Sequence, residues 1–368
     1  MCVSVKRLVA SDPWSVVQVG WDAEQHRIYE SLFSLGNGHF GGRGNHEERY
    51  SGDSLAGNYL AGVYYPDPTR VGWWKNGYPD YFAKILNAPD WKALDLFVDG
   101  ECVDLATAEV TEYRRTLDLR TGELERHVRA TLPGGRQVAI EAIRFVSLTR
   151  RHLAALRYRI TLLDGPGQVE IRSLVDGDVV NEDSNYDEGF WDRVDEQAQG
   201  ARTTIVTRTK KTGFVVATAA DVMVGVGEAP RAVDAADWAP HTSERVASAR
   251  TTIGVEAHRT IELVKFGATV STRDRPDATA DDLVAATHQE LDEALAVGFD
   301  LLREEHAAAW ERRWEISDVV IDGDPAAQQG IRFNIFGLNS TFTGDDPDLN
   351  IGPKGFTGEK YGGVTYWD

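Results

Sequence analysis

The sequence predicts a mainly β protein with a helical C-terminal third, because the pattern of apolar residues changes along the chain. Through about residue 270, short β-branched or alternating apolar segments are separated by turn sequences. From Asp281 to Trp314, apolar residues recur at spacings of three, four or eight, which is typical of helices. The length of 368 residues is enough for two or three domains.

Six segments of the first part have the clearest strand pattern. They are Ala93–Val98, Val138–Phe145, Leu153–Thr161, Gln168–Ser173, Thr203–Thr207 and Ile261–Phe266. Turn sequences such as Asp99-Gly100 and Pro133-Gly134-Gly135 separate many of them. Many strands with few helical stretches predict a large antiparallel sandwich.

The helical part divides into a connector and the start of a third unit. Gly298 is expected to split or bend the connector helix. Asp324-Pro325 predicts a second helix start, an N-cap followed by proline, and that helix runs to about Leu338. We therefore expect a β domain over 1–275, a helical linker over 276–316 and an incomplete domain over 317–368. The last unit has one helix and a glycine-rich loop, too little to close a core.

Charge and composition exclude several classes of protein. The net charge of −19 argues against nucleic acid and against anionic membrane surfaces as partners. No run of about 18 apolar residues is present to span a membrane. The start of the sequence has no apolar stretch typical of a signal peptide. With two scattered cysteines, Cys2 and Cys102, we expect a reduced, cytoplasmic protein.

A glycine-rich segment at 31–45 is the first candidate site. It lacks the Lys-Ser/Thr of a P-loop, and no convincing strand and helix flank it as dinucleotide binding requires. Tight turns where sheets pack closely are the preferred interpretation. A second candidate is the aromatic segment 64–82, because Trp and Tyr interleaved with polar groups suit the faces of sugars. The preferred interpretation is that these aromatics brace a long loop or a domain interface.

The remaining candidates are carboxylates and histidines. Glu359 and Asp368 are the strongest local carboxylates, since they lie in a glycine-flanked loop with Trp367. His39 and His306 are expected to be structural. The sequence lacks the His-Glu-x-x-His motif and paired cysteines, so we predict no metal site.

Three stretches together resemble glycoside hydrolase family 65, the inverting disaccharide phosphorylases. They are ESLFSLGNGHFGGRGN at 30–45, AGVYYPDPTRVGWWKNGYPDYFAKILNAPDW at 61–91 and IGPKGFTGEKYGGVTYWD at 351–368. The segment 327–336 also resembles the first barrel helix of that family. The resemblance implies an N-terminal antiparallel β super-sandwich, a helical linker and the start of a truncated (α/α)6 catalytic barrel.

The resemblance also implies roles for single residues. Trp367 is expected to pack on the donor glucose, and Asp368 to accept hydrogen bonds from its hydroxyls. Trp73, Trp74, Lys75 and Tyr366 are candidate loop contributors. The family's catalytic glutamate and its phosphate site are expected beyond Asp368, so no catalytic residue is assigned in this chain, and Glu359 does not match the catalytic position.

The form FTGEKYGGVTYWD and the Trp73-Trp74 stretch are most like those of family members that act on maltose. The implied reaction converts maltose and phosphate into β-glucose 1-phosphate and glucose. Phosphate is a co-substrate, and no metal or organic cofactor is required. The chain alone is expected to be inactive, and the resemblance implies a homodimer.

Alternatives within the family are phosphorolysis of kojibiose, trehalose or nigerose and hydrolysis of an α-glucoside. A non-catalytic carbohydrate-binding or scaffold sandwich is the alternative of another class. The helix and loop after Ser317 argue against that alternative, since they would have no partner to bury their apolar face.

Overall fold

The computed structural model describes residues 8–70, 79–227, 237–352 and 354–360. Four helices lie in these ranges: α1 (His26–Leu32), α2 (Ala280–Val297), α3 (Phe299–Ser317) and α4 (Pro325–Thr341). None of these described helices is long and apolar enough to cross a membrane.

The described residues also form nineteen strands. In chain order they are β1 (Ala10–Asp12), β2 (Ser15–Val19), β3 (Leu35–Gly36), β4 (Phe40–Gly42), β5 (Asn58–Pro68), β6 (Tyr81–Asn87), β7 (Leu94–Val98), β8 (Glu101–Cys102), β9 (Glu109–Asp118), β10 (Glu123–Thr131), β11 (Gln137–Val146), β12 (Leu153–Leu162), β13 (Gly167–Asp176), β14 (Trp191–Gln199), β15 (Arg202–Thr209), β16 (Val215–Val226), β17 (Ala239–Ser243), β18 (Val246–Val255) and β19 (Thr260–Ser271). The six strands predicted from the sequence pattern correspond to β7, β11, β12, β13, β15 and β19.

Within the described ranges the strands form three antiparallel sheets. The largest has ten strands in the order β1-β2-β9-β10-β11-β12-β19-β16-β15-β14. A five-stranded sheet has the order β17-β18-β13-β7-β8, and a four-stranded sheet has the order β3-β4-β5-β6. The prediction of a mainly β fold with large antiparallel sheets is confirmed.

The centre of the ten-stranded sheet is buried on both faces. On β16, Val222 and Val224 belong to the core shared with the five-stranded sheet, whereas Ala217 and Ala219 face the helices. Because successive side chains of a strand point to opposite faces, a strand between two layers is apolar throughout. This explains why β16 reads as a nearly continuous apolar run.

The helical connector packs on the outer face of this sheet. Helix α2 begins with a capping box in which the Thr279 hydroxyl accepts from the backbone N–H of Asp282 and the Asp282 carboxylate accepts from that of Thr279. Leu291 and Ala294 of α2 pack against Phe266. Gly298, at φ 83°, separates α2 from α3, so the predicted break is confirmed.

Helices α3 and α4 pack on the edge of the sandwich. Trp310 of α3 stacks on Phe336 of α4 with ring centroids 4.7 Å apart, and the Trp314 indole donates to the Leu119 carbonyl at 2.7 Å. Asp324 caps α4 as expected, since its side chain accepts from the N–H groups of Ala326 and Ala327. These contacts join the start of the third unit to the β domain. The predicted boundaries of the three units stay predictions.

A buried ionic cluster lies between the glycine-rich segment and the ten-stranded sheet. Arg126 of β10 donates to Glu48 and Glu47, each at 2.7 Å, and Arg144 of β11 also donates to Glu47. All four side chains are almost fully buried. Burial alone would raise the pKa of Glu47, but Arg144 and Arg126 outweigh it and lower that pKa to about 2. The cluster holds the chain after residue 45 against the sheet.

Replacing Arg126 with methionine is expected to lower the free energy of unfolding by about 3–5 kcal/mol, because it leaves buried carboxylates without their partner. Urea denaturation at pH 7 measures this change. The matched control is Arg129→Met, which removes an exposed ion pair with Glu112 and is expected to cost at most about 1 kcal/mol. Equal, small losses for both variants would contradict this view of the cluster.

Candidate functional site

The loop that follows α4 packs closely against the glycine-rich segment. A Cβ on Gly36 would lie 2.3 Å from the Phe356 ring, and one on Gly41 would lie 2.5 Å from it. The N–H of Gly38 donates to the Ser340 carbonyl at 2.7 Å. The glycines are thus required for close approach, in agreement with the expected tight turns, and the elements they bring together are the sandwich and the loop at 345–360.

Two hydrogen bonds from arginines also hold this loop on the sandwich. The buried guanidinium of Arg43 donates to the Thr357 carbonyl. Arg273, just after β19, donates to Asp346 at 2.8 Å. Phe356 is buried against the glycines. The loop leads directly into residues 361–368, so the sandwich fixes the stretch of chain that precedes the predicted sugar-binding pair.

The predicted sugar-binding residues themselves lie outside the described residues. This holds for Trp367 and Asp368, and for the candidate loop contributors Trp73, Trp74, Lys75 and Tyr366. The aromatic segment is described at its two ends, where β5 and β6 form a hairpin. Tyr65 on β5 stacks on Phe190 at 4.1 Å and donates to Glu188 at 2.6 Å, so that ring braces the hairpin.

Sequence reasoning missed a buried polar group below this hairpin. The Lys84 ammonium lies 3.0 Å from Asp67 and 3.2 Å from Asp183, and it also donates to the Asp183 carbonyl. The backbone N–H of Asn185 donates to Asp67 at 3.0 Å. No sequence signal reveals this group, because Asp183 and Asn185 are 99 and 118 positions from their partners Lys84 and Asp67. It fixes the segment at 183–185, which in turn contacts the loop after α4.

Glu359 is the buried carboxyl of that loop. Its Oε2 accepts from the backbone N–H of Asp183 at 3.2 Å, and its Oε1 is buried without a hydrogen-bond partner among the described atoms. Burial raises the pKa of Glu359 to about 7, and the nearby Asp183 and Glu182 add to the effect. A carboxyl buried beside other acids packs best in its neutral form, so the geometry gives Glu359 a role in seating the loop.

Glu359→Gln is expected to remove a pH-dependent loss of stability. Between about pH 4.5 and 7, the folded state keeps the Glu359 proton and the unfolded state releases it, so the wild type loses stability as pH rises. Above pH 7 the loss is constant at roughly 3 kcal/mol, taking about 1.4 kcal/mol for each pKa unit. Glutamine does not ionise and escapes the loss.

Thermal unfolding at pH 5 and pH 8 measures this effect. The stability of Glu359→Gln relative to the wild type should increase between the two pH values. Glu311→Gln, at an exposed position of α3, is the control and should follow the wild type. If Glu359→Gln also followed the wild type, the buried carboxyl would not be the source of the pH dependence.

Two protein-family descriptions match this chain. The description "Glycosyl hydrolase family 65, N-terminal domain" matches residues 16–313, and "Glycosyl hydrolase family 65 central catalytic domain" matches 332–368. The chain belongs to glycosyl hydrolase family 65. The loop at 345–360 and the pair Trp367-Asp368 therefore fall in the part matched to the family's catalytic domain.

Several curated relatives are named as disaccharide phosphorylases. Maltose phosphorylase of Bacillus subtilis is 40% identical over 99% of this chain and 46% of its own length. Alpha,alpha-trehalose phosphorylase of Thermoanaerobacter brockii is 32% identical over 99% of this chain and 47% of its own length. The chain spans less than half the length of these curated relatives.

A solved structure supports the family 65 fold. A putative kojibiose phosphorylase from human microbiome superimposes with a TM-score of 0.86 at 22% identity, over 99% of this chain and 46% of that one. At this identity the likeness shows the fold alone, and it agrees with the sheets and helices described above.

Proposed function

We propose that this chain is part of an inverting disaccharide phosphorylase that converts maltose and phosphate into β-glucose 1-phosphate and glucose. The observation that carries the choice of maltose is the 40% identity to maltose phosphorylase over 99% of the chain. The trehalose and kojibiose phosphorylases are 32% and 30% identical over the same share of the chain. The sequence at 356–368, FTGEKYGGVTYWD, supports the same choice.

The proposed chemistry replaces the water of an inverting glycosidase with inorganic phosphate. A carboxylic acid donates its proton to the glycosidic oxygen as the bond from this oxygen to C1 breaks. A phosphate oxygen forms the new bond to C1 from the opposite face, so the α configuration becomes β. The reaction balances without a metal or organic cofactor. Polar groups around the sugar and the phosphate stabilise the charge that develops.

In this proposal the chain supplies the donor-sugar side of the site. Trp367 covers the apolar face of the glucosyl unit, and Asp368 accepts hydrogen bonds from its hydroxyls, which are stronger to a carboxylate than to a neutral oxygen. Trp73, Trp74, Lys75 and Tyr366 are proposed contributors from neighbouring loops. The seating of residues 345–360 on the sandwich supports this role, because a sugar subsite needs a rigid backbone. A cytoplasmic location and a homodimer belong to the same proposal.

A panel of α-glucobioses, assayed with and without phosphate, tests the reaction. The complete protein, with the chain continued through a full catalytic barrel, should release glucose 1-phosphate from maltose only when phosphate is present. Kojibiose, trehalose and nigerose should react at least about 10-fold more slowly, in line with discrimination by pocket contacts worth 1–3 kcal/mol. The 368-residue polypeptide alone is the matched control and should show no turnover, since the acid and the phosphate site are proposed to follow Asp368.

Two outcomes would contradict the proposal. Glucose release without phosphate would favour a hydrolase of the same family. Preference for another disaccharide would change the substrate but keep the reaction.

Trp367→Ala in the complete protein is expected to lower kcat/KM for maltose by about 100-fold or more, because stacking on the donor glucose is lost. Thermal unfolding should change little by comparison. Trp238→Ala, which removes a buried tryptophan of the sandwich core, is the control and should mainly destabilise the protein. Parallel losses of stability and activity in Trp367→Ala would indicate a structural role instead.

A further inference from the structure

Two histidines and an aspartate converge at the junction between the sandwich and the helical connector. His39 lies between β3 and β4, His152 directly precedes β12, and Asp274 follows β19. Asp274 Oδ1 is 3.5 Å from His39 Nδ1 and 4.0 Å from His152 Nε2, and one donor atom from each residue lies within 4.8 Å of the other two. His39 and Asp274 are nearly buried, and His152 is mostly buried. These three side chains are not among the residues proposed to bind the sugar.

The hydrogen bonds around the cluster leave lone pairs directed into it. His152 Nδ1 is 2.9 Å from Glu290 Oε1, so this nitrogen donates to Glu290, and in the neutral ring Nε2 keeps its lone pair. Since Arg151 Nη2 can only donate, the 3.3 Å contact makes His39 Nδ1 an acceptor. A histidine whose second nitrogen donates to a carboxylate is the usual arrangement around a bound metal.

The carboxylate of Asp274 is oriented in the same way. Its Oδ2 accepts from the N–H and the hydroxyl of Ser271, at 3.2 and 3.1 Å. Its Oδ1 therefore faces the two imidazoles. Three separate elements of the fold thus each present one donor atom to a common point, while neighbouring side chains fix the orientation of two of them.

We propose that His39, His152 and Asp274 bind a divalent transition-metal ion of the zinc class. Two imidazole nitrogens and one carboxylate oxygen are a donor set that suits Zn²⁺. Ligand atoms at about 2.0–2.1 Å from a tetrahedral ion are roughly 3.3 Å apart. The separations of 3.5 and 4.0 Å, and the third separation of at most 4.8 Å between the two imidazoles, reach that spacing through side-chain shifts of up to about 1.5 Å.

Arg151 is the natural competitor of the ion. Its guanidinium donates at 3.3 Å to both His39 and Asp274, the positions that a metal would contact. Half of the Arg151 side chain is exposed, so it can move into solvent when a metal binds. Asp274, Asp346 and Glu290 supply negative charge around the cluster, and Arg150, Arg151, Arg273 and Arg275 supply positive charge. Displacement of Arg151 leaves the Asp274 carboxylate available to a divalent cation.

The bound ion would have a structural role. It would join the glycine-rich segment, β12 and the chain entering the connector at one point. Arg273, next to Asp274 in the chain, holds Asp346 of the loop at 345–360. The site is separate from the proposed phosphorolysis, whose chemistry requires no metal, so either proposal can fail without the other.

Titration of the complete, metal-stripped protein with ZnCl₂ by isothermal calorimetry tests the site, and CoCl₂ gives a spectroscopic signature. We expect one ion per chain, a visible Co²⁺ absorption of the tetrahedral type, and a higher Tm with Zn²⁺. His152→Ala should weaken binding by at least about 100-fold, and Glu290→Ala by about 10–100-fold through loss of the supporting carboxylate. Arg151→Ala should tighten binding, which distinguishes this site from ions held loosely at the surface.

His127→Ala is the matched control, since His127 is an exposed histidine beside Glu125 and Glu141. It should leave the affinity unchanged. If His152→Ala does not fold, the Arg151→Ala and Glu290→Ala results decide the matter. The proposal is overturned if Zn²⁺ does not bind, if His127→Ala abolishes binding while His152→Ala does not, or if Arg151→Ala weakens it.

Discussion

The arrangement of this protein depends on the neutralisation of two buried glutamates by arginines of the large sheet. Glu47 and Glu48 follow the glycine-rich segment directly, and Arg126 and Arg144 hold them against β10 and β11. Unpaired charges at this depth would be very unfavourable, so the segment has little freedom to lie elsewhere. Its glycines face Phe356, and this contact fixes the position of the loop after α4.

This connection explains how a domain made of strands would support the proposed sugar site. The sandwich fixes the stretch of chain that leads to Trp367-Asp368 through backbone contacts, a buried ring and the carboxyl of Glu359. Binding groups are most effective when a rigid framework orients them. The sandwich of this family 65 chain is therefore best understood as the support of the proposed donor-sugar subsite.

Local patterns in the sequence were sufficient for six of the nineteen described strands and for helices α2, α3 and α4, but not for α1. Alternation identified strands such as β11, and the Asp324-Pro325 pair identified the start of α4, because these signals depend on near neighbours. Contacts between distant residues were not predictable in this way. Asp183 and Glu359 are separated by 176 positions, and neither has a neighbour that indicates the other.

The same distinction applies to the candidate site. The residues proposed to hold the sugar came from a resemblance of whole motifs, and their positions stay predictions. The glycine content indicated that some close packing was required. That Phe356 is the residue packed against Gly36 and Gly41 is seen only in the structure. His39 and His306 look alike in the sequence. His306 accepts a hydrogen bond from the backbone N–H of Leu148 and has the expected structural role. His39 instead lies in the cluster with His152 and Asp274 that is proposed to bind a metal ion.

The contact between Phe356 and the glycine-rich segment also has a consequence for the order of folding. Gly36 and Phe356 are 320 positions apart in a chain that is synthesised from the N-terminus. Domains generally fold as units during synthesis, so the sandwich is complete before the loop emerges. The loop then packs on the surface of the folded sandwich, and this surface determines the conformation of the loop. An error in strand pairing near Gly36 would therefore also misplace the loop at 345–360.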